Sequence, residues 1–149
     1  MEKEVKDVQA TQKPKAKAKL VSCAHGVGRR KTAIARVWLK KGTGKVIVNN
    51  RNVNEYFDTD ITRLDALTPF NVCSSFANSY DVKVNLIGGG PCCQAGAMRL
   101  GLSRALVSLD PDIRAALKKH KLLTVDSRIK ERKKYGQKGA RAKFQFVKR

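Results

Sequence analysis

Acid is scarce in this chain. Asp and Glu number 12 against 32 Lys and Arg, which leaves a formal charge of +20 over 149 residues. An imbalance of that size disfavours cationic ligands and points to a polyanion as the main partner. Histidine is scarcer still, with only His25 and His120, each in a basic context with no carboxylate and nucleophile beside it. General acid–base and triad chemistry therefore lack their parts, and no two acids form a recognisable catalytic pair. No CxxC spacing occurs among Cys23, Cys73, Cys92 and Cys93, and the adjacent pair is poorly placed to chelate one ion. A zinc site is disfavoured on that ground, and a disulfide framework is disfavoured by the absence of anything resembling a secretory signal. Reduced thiols in a cytoplasmic compartment are expected, with Cys92 and Cys93 as small packing residues. No apolar run approaches the length needed to cross a membrane. The expectation is a binder and not an enzyme, with no cofactor, no metal, no small-molecule substrate and no membrane partner.

The charge that is present is unevenly placed. Residues 1–22 hold six basic and three acidic groups, including the run KPKAKAK at 13–19, and read as a disordered basic extension. Residues 23–127 hold 16 and 8, and read as a globular α+β RNA-binding domain. Residues 128–149 hold ten and one, and read as an extended basic tail. Its few apolar residues, Ile129, Tyr135, Phe144, Phe146 and Val147, bury too little surface to offset the entropy of ordering it. Gly136 and Gly139 interrupt any helix. Such a segment suits phosphates, with Arg128, Lys130, Arg132, Lys133, Lys134, Lys138, Arg141 and Lys143 as contacts and Tyr135, Phe144 and Phe146 as stacking groups.

Within the domain, Ala33, Ala35, Val37 and Leu39 alternate with Ile34, Arg36, Trp38 and Lys40, the pattern of a strand with one polar-rich side. Lys41-Gly42-Thr43-Gly44 reads as a turn returning KVIVN, residues 45–49, as the second strand of a hairpin. Residues 53–68 place Tyr56, Ile61, Leu64 and Leu67 at helical spacing, and Pro69 closes that helix. Residues 80–87 alternate again with Val82, Val84 and Leu86 inward, then meet Gly88-Gly89-Gly90-Pro91. A helix follows, with Ala95, Met98, Leu102, Ala105, Leu106 and Leu109 toward the core and Arg99 and Ser103 opposite. Asp110-Pro111 caps a last short helix showing Ile113, Ala116 and Leu117 to the core. The order strand, strand, helix, strand, helix, helix, tail describes an α+β domain with helices packed on one face of an antiparallel or mixed sheet and a long C-terminal tail.

Two motifs invite chemistry. The loop GGGPCCQAG at 88–96 lacks the Lys-Ser/Thr of a phosphate-hydrolysing loop, and residues 88–104 contain no carboxylate to hold magnesium. Its glycines serve either a backbone-amide contact to an anion or a tight strand-to-helix turn, and both readings stay open. Arg29-Arg30-Lys31, preceded by Gly26-Val27-Gly28, reads as a phosphate-binding cluster whose glycines admit a partner close to the backbone.

Four blocks in order, GVGRRKTAIARVWL, GTGKVIVN, GGGPCCQAGAMRLGLSRAL and ERKKYGQKGARAKFQFVKR, resemble the universal small-subunit ribosomal protein nine family in its bacterial type, over residues 26–149. The resemblance implies the fold of the second domain of ribosomal protein five, seated among ribosomal RNA and neighbouring proteins of the small-subunit head. It implies ribosomal RNA contacts by Arg29, Arg30, Lys31 and the tail cations. It also implies that the terminal Lys148 and Arg149 approach the anticodon stem-loop of tRNA in the peptidyl site. Relative to the family pattern, Val125 stands where an Arg is customary and Val147 where a Ser is.

Overall fold

The alternation of residues 33–41 does produce a strand, and the rest of the sheet is arranged around it. In the computed structural model, which describes residues 23–145, β2 (Ala33–Lys41) buries Ala33, Ala35, Val37 and Leu39 completely while Arg36 and Lys40 stay in solvent. Its antiparallel neighbour β1 (Ala24–Arg30) runs in register from Ala24 opposite Leu39 to Arg30 opposite Ala33, joined through Lys31 and Thr32. The sequence pattern does not reveal β1, because two of its inward positions are Gly26 and Gly28, which carry no hydrophobic signal.

The hairpin expected across residues 41–44 does not form. Both edges of β2 are occupied, one by β1 and the other by β5 (Tyr80–Ile87), so β3 (Val46–Val48) crosses over and pairs parallel with the far side of β5. A two-residue β4 (Arg51–Asn52) completes a mixed sheet of order β1-β2-β5-β3-β4. Asp81 fixes the crossover by accepting hydrogen bonds from the backbone N–H of Thr43 at 2.8 Å and of Lys45 at 2.9 Å. Gly42 leaves room for this arrangement, since a Cβ would stand 2.1 Å from the Asp81 carboxylate and push it aside. These N–H donors, Lys45 first, hold the Asp81 carboxyl below its usual range.

Short α1 (Val53–Tyr56) leads into α2 (Asp60–Val72), with Phe57 fully buried between them. Of the residues at helical spacing, Tyr56 and Leu67 pack partly on the core, but Ile61 and Leu64 are 76% and 62% exposed, and α2 buries Thr62, Ala66, Pro69 and Phe70. Pro69 also lies inside the helix and does not end it. The Asp65 carbonyl, deprived of the N–H that Pro69 lacks, accepts from the Thr68 hydroxyl at 3.0 Å, and α2 runs on to Val72. A one-turn α3 (Ser74–Ala77) links it to β5, where Val82, Val84 and Leu86 point inward as expected.

The long helix α4 (Pro91–Leu109) lies on β1 and β2 and is backed by α2. It is therefore buried around most of its circumference, and Ser103, expected on the solvent side, is fully buried with its hydroxyl donating to the Arg99 carbonyl at 2.8 Å. Close approach to β1 depends on small residues. A Cβ on Gly28 would stand 1.9 Å from the Ala97 carbonyl oxygen, and one on Gly26 would stand 2.2 Å from that of Gly101. Those glycines admit α4. Asp110 caps the next turn as expected, accepting from the Asp112 N–H at 3.0 Å. In α5 (Arg114–Lys119) Leu117 is buried and Ile113, in the turn before it, is half-buried, but Ala116 faces solvent.

Candidate nucleic-acid interface

Strand alternation separates the three cations that the sequence places side by side. Arg29 projects to the sheet face away from α4, exposed and opposite Ile34. Arg30 projects to the helix side, where its Nη1 donates to the Cys92 carbonyl at 3.3 Å and its Nη2 lies 3.6 Å from the Asp126 carboxylate. Gly96 makes room for it, because a Cβ there would stand 2.5 Å from Arg30 Cδ. Arg30 Nε is buried without a hydrogen-bond partner among the described residues. Lys31 occupies the turn with a left-handed φ of 52° and is exposed.

The root of the tail meets this corner. Beyond Leu122, the last buried residue of the domain, the chain passes over Arg30, and Asp126 accepts from Arg128 Nε and Nη2, both at 2.9 Å. Arg30, Lys31, Asp126, Arg128, Ile129 and Lys130 together line an open cleft of about 390 Å³. Four cations face one carboxylate there, so the cleft attracts an anion while Asp126 keeps the arginines spaced.

The side-chain and backbone hydrogen bonds from Arg128, followed by the charges of Arg128 and Arg30, hold the Asp126 carboxyl far below the usual carboxylate range. The sign of the linkage follows. A depressed folded pKa contributes stability above the unfolded value of about 3.9 and loses it only as pH falls through the lower folded value. The Asp126 carboxyl carbon is therefore expected to hold a flat NMR shift through the pH range near 4 where ordinary aspartates titrate. A midpoint there would show that Arg128 is not engaged.

Residues 128–145 contain no helix or strand. Tyr135, Ile129 and Phe144 are 93%, 73% and 59% exposed, so their apolar surfaces are open to a partner. The tail's one acid, Glu131, is engaged by Arg141 through Nε and Nη2. Among the described residues, Lys130, Arg132, Lys133, Lys134, Lys138 and Lys143 form no ion pair. Lys138 Nζ sits 5.7 Å from the centre of the Phe144 ring. Phe146, Lys148 and Arg149 lie outside the described residues, as do residues 1–22.

The glycine loop resolves toward its conformational reading. Gly88 and Gly89 have φ of 70° and 68°, and a Cβ on Gly88 would stand 2.6 Å from the Thr32 carbonyl oxygen. Gln94 closes the turn by donating to the Gly88 carbonyl at 3.1 Å and accepting from the Tyr56 hydroxyl at 2.8 Å. Cys93 packs partly on the core, but Cys92, expected to pack, is exposed at the helix start. Buried Cys73 has its thiol pKa pushed up, by burial first and then by the charge of Asp110. Among the described residues no cluster of His, Cys, Asp and Glu has metal-binding geometry, and no helix is long and apolar enough to cross a membrane.

Sequence reasoning overlooked a second cationic surface. Arg36, Lys40 and Lys83 stand on the sheet face away from α4 together with half-buried Trp38. The signal was present in the polar half of the β2 alternation, but the neighbouring strand that supplies Lys83 is remote in sequence.

Comparison with known proteins gives a consistent answer. The family described as "Ribosomal protein S9/S16" matches residues 28–149. Small ribosomal subunit protein uS9 of Phytoplasma australiense is 54% identical over 124 residues, covering 83% of this chain and 95% of that protein. Its namesake in Solidesulfovibrio magneticus is 53% identical over 125 residues, covering 84% and 95%. The one in Syntrophobacter fumaroxidans is 48% identical over 125 residues with the same coverage.

Proposed function

The chain belongs to the ribosomal protein uS9 family, whose members are structural constituents of the small ribosomal subunit and not enzymes, and from that premise we propose that it binds small-subunit ribosomal RNA in the head and reaches peptidyl-site tRNA with its C-terminus. The observation that carries this reading is the convergence, in one cleft, of Arg30 and Lys31 from the β1–β2 turn with Arg128 and Lys130 from the tail root. A phosphate held there neutralises charge contributed by both segments and fixes the direction in which the tail departs. The tail cations Arg132, Lys133, Lys134, Lys138, Arg141 and Lys143 extend the contact along an RNA backbone, with Tyr135 free to stack on a base, while Arg29 meets RNA from the opposite sheet face.

The domain takes the fold of the second domain of ribosomal protein five, with helices on one sheet face, and works in the ribosome of the cytoplasm beside other head proteins. The tail is an extended strand that gains its shape from RNA: dense phosphates supply many contacts and release counterions, offsetting the ordering entropy. At its end Arg149 offers a forked guanidinium and Lys148 a compact ammonium to tRNA phosphates.

Sedimentation of a cell extract through a sucrose gradient at moderate salt tests the reading, with the protein expected in the small-subunit fraction; recovery only from the top of the gradient overturns it. In subunits carrying the chain without Lys148 and Arg149, assembly is expected to be normal and tRNA to leave the peptidyl site severalfold faster. An unchanged off-rate would remove the tRNA contact while leaving the ribosomal RNA contact standing.

A further inference from the structure

β-Strand alternation leaves one side of the sheet without a covering layer among the described residues. Cross-strand register sets its side chains in rows: His25, Trp38 and Lys83 lie side by side across β1, β2 and β5, and Val27, Arg36 and Asn85 form the next row. Arg29 and Lys40 extend the face at either end. The acid on this side, Asp81, is already bonded to the backbone of the β2–β3 crossover. The rings of His25 and Trp38 are 5.3 Å apart and tilted by 43°, so the half-buried indole stands at an angle to its neighbour. A face with Arg29, Arg36, Lys40 and Lys83 around an aromatic ring suits phosphates at its margin and a base plane at its centre. Residues 1–22 are a poor occupant, since they hold six basic groups against three acidic ones and would be repelled.

Resting on the ribosomal RNA reading above, we infer that this sheet face is a second RNA-binding surface, one that takes an unpaired nucleotide on Trp38 while Arg36 and Lys83 hold its flanking phosphates. It is separate from the cleft at Arg30, which opens on the helix side. A folded duplex presents no free base face, so the surface selects a single-stranded loop or bulge.

Trp38 is the chain's one tryptophan, so emission excited at the red edge, where tyrosine does not absorb, reports on this face alone. Full-length protein is titrated with a single-stranded oligoadenylate and, separately, with a duplex RNA, while anisotropy of end-labelled RNA measures binding independently. The single strand is expected to quench Trp38 emission in step with binding, and the duplex to bind without quenching. Trp38→Ala is expected to weaken single-strand binding about tenfold. The pair R36Q and K83Q keeps the tryptophan and is expected to reduce the slope of log affinity against log salt by about 1.4. Both changes lie outside the core, and an unaltered thermal melt verifies that the fold is intact. Single-strand binding by anisotropy with unchanged emission overturns this inference and leaves the tail reading intact; failure of both RNAs to bind overturns the two together. Quenching by polyglutamate as strong as by RNA would assign the face to an acidic polypeptide and overturn it as well.

Discussion

Replacing Gly28 by alanine is expected to destabilise the domain by roughly 3 kcal/mol, the upper range for overpacking a close-packed interface. The added Cβ would stand 1.9 Å from the Ala97 carbonyl oxygen and 2.4 Å from the Gly101 N, both main-chain atoms of α4. Main chain cannot rotate aside as a flexible side chain does. The helix would have to lift from β1, opening voids beside Val37, Ala97 and Ala105, which are fully buried at this seam. Thermal unfolding checks it, with Gly28→Ala expected to melt about 10 °C lower or more. Gly90→Ala is the control: nothing lies within 4 Å of its would-be Cβ and its φ is −97°, so the melt should hardly move. Equal melting of the two variants would mean that α4 does not approach β1 this closely.

Neutralising the tail is expected to have the larger functional effect. Changing Lys130, Arg132, Lys133, Lys134, Lys138 and Lys143 to glutamine removes the described tail cations that have no acidic partner, while leaving the Arg141–Glu131 and Arg128–Asp126 pairs in place. If each of the six lies on a phosphate, affinity for head-domain ribosomal RNA should fall by about three orders of magnitude at moderate salt, and the salt slope should shrink by about 4 to 5. The fold should be untouched, because all six side chains are exposed and none joins the core. Filter binding across a salt series reads both quantities, and circular dichroism reads the fold. A parallel series with scrambled RNA separates placement from charge. Equal affinity of the native chain for both RNAs would describe a nonspecific cationic chaperone, contrary to a ribosomal constituent.

Several expectations differed from the structure for reasons that can be traced to single residues. On α2, Ile61 and Leu64 obey helical spacing as well as Ala66 and Phe70 do, and only the neighbouring α4 decides which stripe is covered. The hairpin was misread because a Gly-Thr-Gly turn between two alternating runs is a sound local signal. Whether those runs pair depends on β1 and β5 competing for the edges of β2. In sequence, Gly26 and Gly28 suit the close approach of an outside partner, and the partner they admit is the chain's own helix.

Composition and local order alone determined that this is a polyanion-binding α+β chain with no catalytic set, that its charge concentrates at residues 128–149, and that four ordered blocks place it in its family. Those properties are sums over residues or short-range patterns, which a linear reading preserves. Only the tertiary structure decided that Arg30 meets Arg128 across Asp126 and that Trp38 stands beside Lys83 on an open sheet. Each joins segments distant in sequence, and which of them meet is settled by competition for strand edges and helix faces during packing, a contest no local stretch of residues records.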